Sequence, residues 1–495
     1  MIKILWNLLH GSLTSLHYRT AKVLLSLHTT CEHIVKNAIT EELLHQDIQY
    51  RVEGCNRFAL LWRLVNEMTT ERVFSDNLLL MLDSLSDQQP VVRLSGRTWL
   101  AASITKVERI LDPLLLVLLD PSTSRSWYVY RTTYDARRVL YILRILKAII
   151  ESDYRFIQHA TTKTVSKDIL ALNEQQHVIE EEESGAFKAA GDDGDYRNAP
   201  SESLQIIVRN YVGLLALTAM RFVLGQAAPD ADPEFVACNK VVQATSAEFL
   251  QYMLVRMTDR HRARAGYLAR RIQQHVLQAL AKSVTSSDLV LQVELLRLLR
   301  TVVMLQAWKP AISSTATPAA GAPGGPPAGS RSSTAGTSAL PSAAIAAAVG
   351  GLSLSSPSDM HNQAATDADL LEEDDGKEPP RICSSPMFLQ TLVSGILQPA
   401  TTNVRYYWLE FITASMPYVQ EDLAVLVGPL CSCLSDIMLT FDNAHDSTAI
   451  NDAIVVLKSL NVVFSYCLLE EKVPVEEPYV NHQPINQSIS QSVSE

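Results

Sequence analysis

Three observations predict an all-α protein built as a stack of packed helices. Apolar residues recur at helical spacing, i, i+3, i+4 and i+7, through most of the chain. The 19 Gly and 22 Pro cluster, which leaves long stretches free of helix breakers. Strand-type alternation never lasts long enough to build a sheet; Trp127–Tyr130 is the one β-like run and reads as an extended loop. At 47% hydrophobic and 19% charged, the composition supplies packed cores, and 495 residues exceed what one core usually organises. The expected architecture is therefore armadillo/HEAT-like: helical solenoid units separated by disordered linkers.

The first elements follow from periodicity. Ile4, Leu5, Leu8 and Leu9 mark one face of an amphipathic helix, and Asn7 and His10 interrupt the run that a signal peptide would need. With no loop-rich leader ahead of it, the chain reads as a piece of something longer. Between Cys55 and Met68, Phe58, Leu61, Trp62 and Val65 form one buried face. Ser75 or Asp76 offers an N-cap for a helix carrying Leu78, Leu79, Met81, Leu82 and Leu85, which Asp87–Pro90 ends. Val92, Leu94, Trp99 and Leu100 mark the next helix. Pro113 follows Asp112, so a helix is expected to restart there with proline in its first turn, and Pro121 closes it. Asp135–Ile150 repeats the pattern with Val139, Leu140, Ile142, Leu143, Leu146 and Ile149.

Composition divides the chain. Residues 1–165 form a first helical unit. Residues 166–203, with Glu180–Glu183 and Asp192–Asp195, read as an acidic disordered insertion. Helices resume over 204–310, opening with Leu204, Ile207, Val208, Val212, Leu215 and Leu217. Residues 311–384 are rich in Ala, Gly, Pro and Ser and then acidic over Asp367–Asp375, a flexible linker. A further helical unit spans 385–473, with Phe388, Leu392, Tyr407, Phe411, Leu423–Leu439 and Ile454–Leu469, and 474–495 is a polar tail.

The balance of 42 Lys+Arg against 53 Asp+Glu gives −11, which argues against a general nucleic-acid binder. No apolar run reaches the length of a transmembrane segment. Seven widely spaced cysteines, an odd number, read as reduced and mostly buried thiols. Cys431 and Cys433 make the one C-x-C, and His445 is the one histidine near it, too few ligands for zinc. No phosphate loop, metalloprotease, nucleophile-elbow or kinase pattern occurs, so no catalytic, cofactor or metal residue is assigned. His45, His159 and His177 read as surface or helix-end residues. One charged feature stands out in this acidic chain: Arg256, Arg260, His261, Arg262, Arg264, Arg270 and Arg271. On one helix Arg256, Arg260 and Arg264 would share a face at i, i+4 and i+8. Such a face suits anionic lipid head groups or an acidic partner; the plainer reading is a solvated face paired with carboxylates.

Three stretches carry a family resemblance. They are Glu53–Leu64 followed by Leu78–Leu85, then Trp99-Leu100 leading to Arg109–Pro121, then Tyr407–Tyr418 with Leu457–Leu469 after it. Together, and in this order, they resemble the Dopey family of large trafficking proteins, and the chain resembles an interior portion of them. The resemblance implies a cytoplasmic protein peripheral to Golgi (trans-Golgi network) and endosome membranes. It also implies a role in endosome-to-Golgi retrieval with a large partner related to Arf exchange factors, and it hints at kinesin and phosphoinositide attachment. It carries no catalytic residues. The function expected is thus a non-enzymatic helical scaffold in membrane traffic. A helical cargo or nuclear-transport-type adaptor is the alternative.

Overall fold

Side-chain caps and prolines set where many of the helices begin. Asp47 accepts from the Gln49 N–H at 2.8 Å and opens α3 (Ile48–Met68). Pro90 occupies the first turn of α5 (Pro90–Ser103). Asp135 caps α7 (Ala136–Ser152) through the Arg138 N–H at 3.1 Å. Asn210 caps α10 (Tyr211–Leu224) through Gly213, and Asp232 with Pro233 opens α11 (Pro233–Met257). The other helices are α1 (Ile2–Asn7), α2 (Thr14–Leu43), α4 (Ser75–Asp83), α6 (Val107–Leu118), α8 (Arg155–Thr162), α9 (167–175), α12 (Arg262–Thr285), α13 (Leu289–Ala307), α14 (Pro386–Leu397), α15 (Arg405–Ser415) and α16 (Ser447–Leu468).

This computed structural model describes residues 1–69, 72–120, 135–175, 208–225, 227, 232–307, 381–397, 404–418, 428, 431, 432, 434, 435 and 447–468. Met1–Trp308 and Pro380–Glu495 make one compact unit. Lys309–Pro379 makes a second, which lies outside the described residues. The fold is all-α, a helical-repeat solenoid. Among the described residues the β-structure is one isolated antiparallel bridge between Thr164 and Asn210.

Helices pack on their neighbours: α2 on α1 and α3, α3 on α5, α7 and α10 on α11, α11 and α12 on α13. The expected face of α3 is buried as Phe58, Leu61, Trp62 and Val65. Trp62 meets Trp99 of α5 edge-on at 6.0 Å, and Phe58 lies 5.8 Å from Trp62. Each such aromatic pair adds about 0.5–1.5 kcal/mol beyond area burial. Of the helices of 381–468, α14 packs on α12 and α15 on α13, while α16 packs on α15. There Trp408, fully buried, donates its indole N–H to Gln292 of α13 at 3.3 Å. Gly395 lets it in, since a Cβ at that position would stand 2.3 Å from the Trp408 ring.

Several expectations need correction. The first helix buries Trp6, and Leu9 is buried just beyond its end, whereas Ile4 is 66% exposed. Neither Ser75 nor Asp76 caps α4; Phe74 precedes it at φ 59°, held in that left-handed conformation by burial and an edge contact with His28 at 4.4 Å. The helix at Pro113 does not restart. α6 runs through it, because its apolar face is buried on both sides of the proline and packing outweighs the lost hydrogen bond. α2 is 30 residues long, with a non-helical kink at Cys31. The insertion expected from 166 begins later: residues 167–175 are helical and bury Ile169 and Asn173. Its runs Glu180–Glu183 and Asp192–Asp195 lie outside the described residues, as do Trp127–Tyr130, Leu204–Ile207, residues 311–380 of the linker and the tail.

Candidate functional site

The six arginines of the sequence reading do not share one helix. α11 stops at Met257 and α12 starts at Arg262. The Thr258 hydroxyl donates to the Val255 carbonyl at 2.6 Å, and the His261 N–H bonds to Met257 at 2.8 Å. These bonds close the helix end and turn the chain, so Arg256 and Arg264 stand on different helices.

The structure gives each arginine a separate setting. Arg256 is half-buried and donates to the Tyr252 hydroxyl at 3.0 and 2.7 Å, one turn back on α11. Arg260 is exposed; it reaches Gln158 of α8 at 3.2 Å and lies 5.4 Å above the Tyr154 ring. Arg264 donates to the Thr161 carbonyl at 2.7 Å, in the last turn of α8, where a cation complements the helix dipole. Arg262 opens α12 half-buried, and Arg270 and Arg271 follow it, also half-buried. Arg271 lies 5.4 Å over Tyr267 of its own helix. Arg260 and Arg264 therefore meet α8, while Arg256 and Arg271 are held by tyrosines one turn away.

Sequence reading missed the corner where Arg260 and Arg264 meet α8, and the cations that lie on and after that helix. Arg155 pairs with Asp153 at 2.7 Å. Lys163 follows α8 directly, and its nearest carboxylate, Glu108, is 3.9 Å away. Lys167 is exposed at the start of α9. His159, half-buried in the last turn of α8, has its imidazole held below the usual value by burial, with the Arg155 and Lys163 charges adding to the effect. Roughly one hundred positions separate these residues from Arg260 in sequence, so no local pattern announces the corner.

A second polar concentration sits beside it. A cavity of about 670 Å³ is lined by Arg72, Lys106, Glu108, Arg109, Asp112 and Asp168 among others. Asp112 is buried; it accepts from Tyr211 at 2.7 Å and Arg72 at 3.0 Å, and Arg72 also reaches Asp168 at 3.4 Å. Lys106 and Arg109 donate to the Asn66 and Thr69 carbonyls at the end of α3. These bonds tie α3, α6, α9 and α10 together. Of the other sequence candidates, His45 is exposed and His177 lies outside the described residues. Cys55 and Cys383 are buried thiols outside any disulfide; Cys31, Cys238 and Cys431 are half-buried, and Cys433 lies outside the described residues. None of the described helices is long and apolar enough to cross a membrane.

Two family models match the chain. One, described as DOP1B-like TPR repeats, covers residues 1–108; the other, described as the DOP1 TPR domain, covers residues 356–470. Protein DOP1B of Mus musculus is 33% identical over 134 residues, and Protein DOP1B of Xenopus laevis is 32% identical over 133 residues. Over these stretches the chain is similar to Dopey proteins. Each match covers 25% of this chain and 6% of the relative, so the chain spans a small part of these Dopey proteins. The models name the repeats TPR, which like armadillo and HEAT repeats are stacked helical units. A solved circular tandem repeat protein with novel repeat topology aligns over 94% of this chain and 90% of its own, at 12% identity and a TM-score of 0.23, too low to support an argument.

Proposed function

We propose that this chain is part of a non-enzymatic helical scaffold in protein transport between endosomes and the Golgi. It would act from the cytoplasmic side, at trans-Golgi network and endosome membranes, with a large partner related to Arf exchange factors and with kinesin as a further candidate. The observation that carries this reading is the position of the Dopey matches, 1–108 and 356–470: the described residues within both are packed helices. Packed helical repeats suit holding a partner along an extended surface. The cationic edge where Arg260 and Arg264 meet α8 is the place where such a scaffold would meet an anionic counter-surface.

Proximity labelling of the full-length gene product in cells tests the reading. The expected neighbours are Golgi and endosome proteins, including an Arf exchange factor. Diffuse labelling dominated by nuclear-transport receptors would replace it with the adaptor alternative.

A further inference from the structure

We infer that the groove between α3 and α5 is a docking site for an extended polypeptide segment that carries a bulky apolar side chain. The inference rests on the scaffold reading for its choice of a protein ligand, and it adds a site and a mode of binding. The two helices pack on each other. Between them lies a groove of about 390 Å³, within the ~300–1,000 Å³ range of ligand sites. Trp62 and Trp99, both buried, form its floor, with their rings 6.0 Å apart. Half-buried Ala59 and exposed Ala102 line it beside them, and their short side chains leave room that a larger residue would fill.

The lining combines these aromatic rings with unused polar groups. Exposed Asn56 and half-buried Asn66 reach the groove from α3, and Ser103 reaches it from α5. The two side-chain amides and the Ser103 hydroxyl make no hydrogen bond among the described residues. A side-chain amide offers an acceptor and two donors, which is what a free peptide unit needs. Asn66 is also anchored, because its main-chain carbonyl accepts from Lys106 at 2.8 Å. Asn56 and Asn66 stand ten positions apart, about 15 Å along the helix at ~1.5 Å per residue. An extended strand covers that distance in about five residues.

These features select the occupant. A docked helix has already spent its main-chain N–H and C=O groups internally and would leave both amides unused, whereas an extended segment presents them. Charge does not choose: exposed Arg63 and Glu67, four positions apart on α3, offset each other, and Lys106 is bonded to Asn66. Phosphates, nucleic acids and acidic head groups call for a net cationic lining instead. Alternate side chains of an extended segment point to one side, so one of them can enter between the alanines and cover the indoles.

The test uses the full 495-residue chain and a random heptapeptide phage library. Selection on the parent should enrich sequences that share a Leu, Ile, Met or aromatic anchor. The same selection on Ala102→Tyr, whose side chain fills the groove from an exposed position, should enrich none of them. The most enriched peptide is then fluorescein-labelled and titrated by anisotropy. Asn56→Ala combined with Asn66→Ala should weaken its binding about tenfold at unchanged circular dichroism, and alanine at the peptide anchor should weaken it at least as much. Raising the salt concentration should leave the affinity nearly constant. Failure of the parent to enrich any set overturns the inference, as does a set that Ala102→Tyr and the double variant bind as well as the parent. An acidic, salt-sensitive consensus would also overturn it. Binding of a fluorescent anilinonaphthalene dye that Ala102→Tyr removes, with no peptide enriched, would reassign the groove to small apolar ligands. Peptide capture alongside a failed proximity-labelling result would leave this groove standing and remove only the Golgi assignment.

Discussion

Helices α10 and α2 show two ways that a leucine-rich segment enters this stack. Every residue of α10, from Tyr211 to Leu224, is buried. α2 is more than twice as long, kinks at Cys31, and leaves Leu16, Tyr18, Val23 and Ile34 exposed. The apolar residues alone do not account for α10, because a helix buried on all sides must also bury its polar groups with partners. Arg221, 4% exposed, donates to Asn173 of α9 at 2.8 Å, and the Tyr211 hydroxyl donates to Asp112. α2 meets its neighbours through polar contacts as well: Asn77 of α4 donates to the Lys36 carbonyl and the Thr40 hydroxyl, both at 3.2 Å. The inner helix is buried on all sides and carries polar groups inward, whereas the outer one buries one stripe and adds polar contacts to it.

The largest effect should come from truncating the inner helix. Phe222→Ala, at a site 2% exposed, should lower unfolding free energy by about 3–5 kcal/mol, measured by urea denaturation. Val23→Ala on α2, 44% exposed, should cost less than about 0.5 kcal/mol. Comparable losses at the two sites would erase the distinction. Next, Tyr211→Phe should lower stability by about 1–2 kcal/mol, because Asp112 stays buried with one donor fewer.

Thiol chemistry sharpens the contrast between the outer kink and the core beneath it. Burial pushes the Cys55 thiol up to about 11, so it stays protonated at pH 8. Iodoacetamide at pH 8 with mass-spectrometric readout should modify half-buried Cys31 well before Cys55; the reverse order would refute the burial of α3. The smallest effect concerns Glu294 on α13. Burial raises its carboxyl above the usual glutamate range; Arg297 opposes the shift and Glu248 adds to it. A folded-state value above the unfolded one means that the penalty appears as pH rises through the ordinary glutamate range. Glu294→Gln should raise the melting temperature slightly at pH 7 and leave it unchanged at pH 3.

Much of the fold was legible because burial on one face imposes a 3.6-residue period. Val139, Ile142, Leu143, Leu146 and Ile149 were read from spacing and all are buried. The misreadings arose where a tertiary contact overrides a local signal. Pro113 reads as a restart until its packed surroundings are seen, and the cap of α4 is a phenylalanine fixed by His28. Helix 167–175 was hidden because the acidic runs downstream dominate the composition of the whole segment. The corner was half legible. Its arginines are dense in sequence, but the turn at Thr258–His261 divides their face, and α8, which Arg260 and Arg264 reach, is distant along the chain.

The Thr164–Asn210 bridge gathers both ends of the chain that carries α9 and the acidic run. The bridge closes the chain between these two residues into a loop whose base stays fixed. Doubling such an excursion would add only about 0.6 kcal/mol of closure entropy. That stretch can therefore grow, shrink or acquire new sequence over evolutionary time while the register of every neighbouring helix is preserved.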